Sequence, residues 1–419
     1  MSAHGREIFE ETGGRLGALT VPNFRYFWIA SLISQAGNWM QQVAISWLLL
    51  EMTNSAFYLG LQGLFLAIPF IVSSMVAGAV ADRMNRRVLL MLTQFTLLIL
   101  AFAQAFVVHL GVIQVWHIYL FSTLSWICSG FDTAARQSIL PGIVPRKHLS
   151  SGIALFSTLH RTTAVIGPVL GGVTIASFGV VAALYINAAT FLLPVLALAV
   201  MHTSATQAGH RQALGRAVVE GLRHARAERG IWALLALQTS ASIFANYTAL
   251  LPIYARDILD IGPQGLGMLH SAVGVGSLAG VIAILALNNT SHRWRWIIAG
   301  SLAFPCLVAA FGVSTNVFLS LAFLFGTGLV DMIVSTMRTT LLQLEVDDRF
   351  RGRIMSLNSI ANRGVSPLGN LQAGTLATFM GAPAAIALGA LVALGAAVAI
   401  GATASPVAAE ALPREREAL

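Results

Sequence analysis

Gly78-Ala-Val-Ala-Asp82-Arg83-Met-Asn-Arg86-Arg87 lies between two long apolar runs, near residues 56–79 and 88–108. An open loop cannot cross lipid, because its backbone N–H and C=O groups would go unsatisfied. Each run must therefore be a helix, and the decapeptide is the short turn that joins them. The turn sets Asp82 among Arg83, Arg86 and Arg87, more charge than a change of direction requires. Gly78 is expected to let a neighbouring helix approach closely, where a larger side chain would hold it off.

Outward from that turn, apolar runs of membrane length recur along the chain. The 419 residues are 56% hydrophobic and 10% charged, with mean hydropathy +0.76. A soluble protein carries roughly 25% charged residues, so the composition is that of an integral membrane protein. Spans are expected over 24–48, 56–79, 88–109, 115–137, 150–176, 180–202, 229–254, 264–287, 295–313, 316–340, 353–379 and 382–404. Each is long enough for a hydrocarbon core of roughly 30 Å. No cleavable signal is expected, because the first residues mix acidic and basic groups. Cys128 and Cys306 both fall inside spans, which supports neither a disulfide framework nor a metal cluster.

Arginine placement gives the orientation. Basic residues collect at the N-terminus, at the C-terminus and around the even-numbered turns, whereas Arg256 alone falls in an odd-numbered one. The positive-inside rule then puts both termini in the cytoplasm. Cytoplasmic loops facing anionic lipid account for the net charge of +8, and no nucleic-acid partner is needed.

Several spans carry polar groups. In the first, Ser31, Gln35, Asn38, Gln42 and Ser46 advance by three or four residues and share one helical face, with Trp39 beside it. That face serves either hydrogen bonds between helices or the wall of a solute cavity. Asp132 and Arg136 stand one helical turn apart in the fourth span and are placed to pair. The fifth span holds His160-Arg161 and then Gly167-Pro168-Val-Leu-Gly171-Gly172, which favours bending or close helix contact. Residues 203–228 form the longest polar connection. Within it, 218–226 reads as an amphipathic surface helix or a plain linker.

After the linker the pattern begins again. An offset of 202 residues brings Arg136 onto Arg338, Arg161 onto Arg363, Gly167 onto Gly369 and Gly172 onto Gly374. Upstream, Gly60, Gly63 and Gly78 fall on Gly262, Gly265 and Gly280. Two six-helix halves in a parallel repeat follow, an arrangement that transporters use to build a site between them. The halves differ in charge. Asp82, Arg86 and Arg87 fall on Ile284, Asn288 and Asn289, while Asp331 appears within the tenth span.

Arg161 and Arg363 lie deep within their spans and each needs a partner. Asp132 and Asp331 are the acidic residues well inside spans, so at least one buried Asp–Arg pair is expected, with Asp331 the expected proton carrier. His160 and His270 read as proton relays or as hydrogen-bonded packing residues.

The signature turn resembles Gly-x-x-x-Asp-Arg-x-x-Arg-Arg between the second and third helices of the major facilitator superfamily. Asn85 stands where that signature commonly has glycine. Phe131-Asp132-Thr-Ala-Ala-Arg136-Gln137, the Gly167–Gly172 run, and Arg349-x-Arg351-Gly352-Arg353-Ile-Met355-Ser356 resemble the enterobactin-exporter-like branch, which includes macrolide and multidrug efflux relatives. The resemblance covers residues 24–404. It implies a twelve-helix fold, alternating access and solute export against proton entry. It further implies that Asp82 latches onto Arg136 and the helix beginning near Gly352, and that the helix-5 motif is the core of an antiporter motif. The family's cavity helices point to Gln35, Asn38, Trp39 and Gln42, with Phe244, Asn246 and Tyr247.

The expected fold is all-α and integral to the membrane, with twelve transmembrane helices in two six-helix pseudo-symmetric bundles. Residues 1–23 form a loosely ordered cytoplasmic segment, 24–202 the first bundle, 203–228 the linker, 229–404 the second bundle and 405–419 a cytoplasmic tail. The expected function is proton-coupled export of a hydrophobic or amphipathic small molecule, of the drug, macrolide or siderophore class, by a monomer in a bacterial inner membrane. An importer or facilitator on the same fold, or a non-transporting receptor or scaffold, are the alternatives. No GxxxxGK[ST], metal-ligand spacing or GxSxG is present, so neither an enzyme, a cofactor nor ATP-driven pumping by this chain is expected.

Overall fold

The computed structural model describes residues 16–201, 223, 225–226, 228–286, 293–346 and 348–417. The side chains of 79, 81, 82, 137, 348, 349, 351, 363 and 404–417 lie outside the described set. So does most of the surface-helix candidate at 218–226.

Thirteen principal helices are described. They are α1 (Pro22–Thr53), α2 (Ala56–Arg83), α3 (Arg86–His109), α4 (Val115–Ile143), α5 (Leu149–Thr190), α6 (Leu192–Val200) and α7 (Arg229–Phe244). The chain continues with α8 (Gly262–Ala286), α9 (Arg293–Val313), α10 (Val317–Glu345), α11 (Asp348–Ser359), α12 (Ser366–Met380) and α13 (Ala382–Glu417). Among the described residues each expected span lies largely on helix, and the seventh, 229–254, is broken at 245–247.

Among the described residues, eight stretches are long and apolar enough to cross a membrane. One of them, Arg146–Val200, runs 55 residues. At 1.5 Å per residue that is about 80 Å, more than twice the hydrocarbon core. Gly179 divides it, with φ 81 and ψ 170. The polar groups of α1 and α4, such as Gln35, Asn38, Asp132 and Arg136, hold those two helices outside the eight.

The repeat is visible in backbone conformation. Gly381, which lies 202 residues after Gly179, has φ 82 and ψ 159 and separates α12 from α13. This region of φ/ψ space is essentially open to glycine alone. Helices α4 and α10 are both 29 residues long, and both of their ends differ by 202. Their N-caps, Gln114 and Asn316, are related by the same offset.

The chain divides into two compact units, Met1–Leu48 with Phe65–Arg211, and Leu49–Leu64 with Gln212–Leu419. Residues 49–64 thus group with the second unit rather than with the bundle that holds the rest of α1 and α2. Small residues permit this. A Cβ on Gly60 would lie 2.5 Å from the Asn370 carbonyl oxygen, and one on Gly374 would lie 2.9 Å from Gly60 Cα.

The first unit has an apolar core of Phe24, Phe27, Leu90, Ile139, Ile143 and Leu198, drawn from α1, α3, α4 and α6. The second packs Leu234, Ile297, Met337, Leu342, Ile354 and Leu357 from α7, α9, α10 and α11. The lead into α1 is better anchored than expected. Gly17–Thr20 form a 3₁₀ turn, Ala18 is fully buried, and its N–H donates to Ser151 Oγ at 3.2 Å. Pro22 begins α1, as suits a residue without an N–H at a helix start. At the other end, α13 continues helical to Glu417, through Pro406 and Pro413.

Candidate functional site

The signature turn comprises two residues between α2 and α3. Asn85 caps α3, its side-chain oxygen accepting from the N–H groups of Arg87 (3.0 Å) and Val88 (3.4 Å). Glycine could not supply that oxygen, so the departure from the family signature has a local cause. Arg87 donates to the carbonyls of Leu198 (2.7 Å) and Ala199 (2.8 Å), and Arg86 donates to the Ser138 carbonyl at 3.0 Å. Leu198 and Ala199 are in the last turn of α6, where carbonyls lack helical partners and the dipole favours a cation. The two arginines therefore fasten the start of α3 to α4 and α6.

Gly78 does not act as expected. Nothing lies within 4 Å of where its Cβ would be, so no close helix contact depends on it among the described residues. Arg83 is exposed. The Asp82 side chain lies outside the described set, and Gly352, at the expected far side of the latch, likewise has nothing within 4 Å.

Arg136, the expected partner of Asp82, is engaged elsewhere. Its Nη2 is 3.0 Å and its Nε 3.2 Å from Asp132 Oδ2, its Nη1 donates to Ser31 Oγ at 2.6 Å, and its guanidinium lies over the Phe27 ring. Asp132 Oδ1 accepts from Gln94 Nε2 (2.6 Å) and Thr93 Oγ1 (3.2 Å). Four donors thus surround one carboxylate, tying α1, α3 and α4 together. Sequence reasoning found the pair but missed Thr93 and Gln94. Their signal was polarity within the otherwise apolar 88–109 run.

The polar face of α1 is divided. Gln35 and Asn38 are half-buried, Gln42 is exposed, and none of the three makes a side-chain hydrogen bond among the described residues. Gln41, one position off that face, turns into the protein. It donates to Gln104 Oε1 at 2.6 Å and accepts from Asn187 Nδ2 at 2.5 Å. Trp39 packs on the helix-5 motif, since a Cβ on Gly167 would lie 2.5 Å from Trp39 Cβ and 2.9 Å from the Ala36 carbonyl. Gly171 meets Met40, and Pro168 and Gly172 are buried beside them. The motif here provides close α1–α5 packing.

In the second unit α7 ends at Phe244 and Asn246–Tyr247 are not helical. Asn246 donates to the Ser366 carbonyl (2.9 Å) and hydroxyl (3.0 Å) and accepts from the Thr248 hydroxyl at 2.8 Å. It fastens this break to the start of α12, next to a π-helical turn at Ile360–Gly364. Phe244 is half-buried, with its carbonyl against Gly389. Tyr247 is buried, at 2.9 Å from Thr327 Oγ1 and packed on Phe311. Its hydroxyl is engaged within the packing of the second unit.

The deep charges also differ from expectation. Asp331 is the midpoint of α10 and is exposed, and Arg161 and His160 on α5 are exposed as well. A charge at such depth costs less beside open space than inside apolar packing. The Arg363 side chain lies outside the described set. Among the described residues the fully buried arginine is Arg338, 1% exposed, held by Asn358 (Nε to Oδ1, 3.2 Å) and by Gln238 Oε1.

A family model described as transmembrane secretion effector matches residues 14–416. The staphyloferrin A transporter of Staphylococcus aureus is 25% identical over 355 residues, 83% of this chain and 87% of that protein. The multidrug efflux pump Tap of Mycolicibacterium fortuitum is 24% identical, covering 84% and 88%. The enterobactin exporter EntS of Shigella boydii is 24% identical, covering 86% of each. Among solved structures, the nucleoside transporter NupG superposes with TM-score 0.70 at 14% identity, over 91% of this chain and 98% of that one. A bacterial homologue of the human lysosomal transporter Spinster superposes with TM-score 0.64 at 15% identity, over 94% and 97%.

Proposed function

The chain belongs to the transmembrane secretion effector family of the major facilitator superfamily, and we propose that it exports a hydrophobic or amphipathic small molecule in exchange for protons, by alternating access. It is a multi-pass membrane transporter and not an enzyme.

The observation that carries the proposal is Asp331, an exposed carboxylate at the middle of a membrane-length helix. Such a group is costly in hydrocarbon, and it is retained where water reaches it and its protonation does work. In the first unit, Gln35, Asn38 and Gln42 present amides that no described side chain occupies, beside Trp39. Amide and aromatic groups together suit partly apolar molecules with a few hydrogen-bonding groups. Relatives named for siderophores and for multidrug efflux support that class of cargo. Asp82 serves as a latch at the signature turn in this reading. Arginine placement supports cytoplasmic termini in a bacterial inner membrane, and a monomer suffices for the cycle.

The test uses everted membrane vesicles energised by an imposed pH gradient, with a lipophilic cationic dye and an iron-chelating siderophore as probes. An exporter accumulates at least one of them inside the vesicles and loses it when the gradient is collapsed. Accumulation that ignores the gradient, or that occurs only in right-side-out vesicles, overturns the proposal.

A further inference from the structure

Arg136 and Arg338 occupy the same place in α4 and α10, 202 residues apart, yet their surroundings differ in one decisive respect. Arg136 presents the edge formed by Nε and Nη2 to the carboxylate of Asp132, four residues earlier. The position four residues before Arg338 is Val334, which is buried and apolar. The second half kept the cation and replaced its carboxylate with a hydrocarbon.

Neutral groups substitute for only part of that edge. Arg338 Nε donates to Asn358 Oδ1 at 3.2 Å, and Nη1 donates to Gln238 Oε1. Nη2 makes no hydrogen bond among the described residues. Both amide partners are themselves committed, Gln238 to the Ser242 hydroxyl at 3.0 Å and Asn358 to Thr339 at 3.5 Å. Among the described residues Arg338 makes no ion pair. Asp331 is seven residues earlier on α10, about 10 Å along the axis, and is exposed.

The surroundings raise the cost of this charge. Leu234, Leu235, Met337, Leu341 and Leu357 form one apolar cluster around the meeting point of α7, α10 and α11. Asp331 acts on this guanidinium only from a distance, so with amides as its direct partners its hydrogen bonds are partly met and its charge is only weakly compensated. A water molecule at Nη2 would meet a hydrogen bond and leave the charge as it was. An anion would meet both.

We propose that the Nη2 edge of Arg338 binds a small inorganic anion of halide size, with chloride taking the role that Asp132 plays in the first half. The tight apolar enclosure favours a monatomic ion over a carboxylate attached to a larger molecule. The anion completes the α7–α10–α11 junction, so its effect appears first in the stability of the folded protein.

The test compares thermal unfolding of the purified full-length protein in lipid nanodiscs in chloride, bromide and gluconate at constant ionic strength. Chloride and bromide raise the melting temperature saturably above gluconate, and crystals grown in bromide give an anomalous scattering peak beside Arg338. Val334→Asp rebuilds the ion pair of the first half and abolishes the halide dependence while preserving folding. Arg338→Gln abolishes it as well, if the variant folds. Equal melting in chloride and gluconate for the unmodified protein overturns the proposal, as does full halide dependence in Val334→Asp.

Discussion

Gly179 and Gly381, 202 residues apart, share one left-handed backbone conformation, with φ 81 and ψ 170 in the first and φ 82 and ψ 159 in the second. Each sits at the reversal that closes its half. Gly179→Ala and Gly381→Ala should each cost roughly 1–3 kcal/mol, the usual penalty for a side chain in this region. Thermal unfolding in lipid nanodiscs would register both losses. Gly78→Ala is the control. It lies inside a helix with open space at its Cβ, so it should be neutral or gain up to about 1 kcal/mol.

The Asp132–Arg136 pair makes a second prediction. Asp132→Ala leaves a cation held only by the Ser31 hydroxyl and the Phe27 ring, and it removes the acceptor of the Gln94 amide. Breaking a buried pair on one side costs about 3–5 kcal/mol, and the 18% and 13% exposure of these side chains places this case toward the lower figure. Asp132→Asn, which retains an acceptor, should lose less. Equal melting temperatures for the two variants would contradict the network.

Asn85 caps α3 in place of the family's glycine. Asn85→Ala should destabilise by ~1 kcal/mol, and Asn85→Gly by a few tenths. If Asn85→Gly proved the worse of the two, the capping account would fail.

Gly167 fixes the approach of α5 to α1. Gly167→Val places branched carbons against Trp39 and the Ala36 carbonyl, where even a Cβ has 2.5 Å and 2.9 Å. Transport and folded yield should both fall severely, whereas Gly352→Ala, with no neighbour within 4 Å, should leave both intact. Fluorescence size-exclusion profiles of the two variants give the comparison.

For the transport cycle, Asp331→Asn should abolish uptake driven by a pH gradient in everted vesicles while leaving membrane levels and melting temperature unchanged. Asp82→Asn should slow uptake without uncoupling it from the gradient. An Asp331→Asn protein that still concentrates cargo with the gradient would remove Asp331 from the coupling reaction.

Much of this was legible in the chain itself. Lipid allows few backbone solutions, so apolar runs of membrane length dictated helices, and Gly78–Arg87 marked a turn, although only Met84 and Asn85 of it lie outside helix. The 202-residue offset exposed the two halves, because glycines and arginines within apolar spans are too constrained to recur by chance at equivalent places. What the sequence could not decide was direction and partnership. Gln41 and Gln42 are adjacent and chemically identical, yet one is locked to Gln104 and Asn187 while the other is exposed. Asp331 reads as buried from its depth in a span and is exposed, whereas Arg338, marked in the sequence only as the repeat mate of Arg136, is among the most deeply buried side chains. Depth along a helix is written in one dimension. Which way a side chain turns, and whether Asp132 or Val334 waits beside the arginine it reaches, depends on helix rotation and on neighbours brought in from distant sequence.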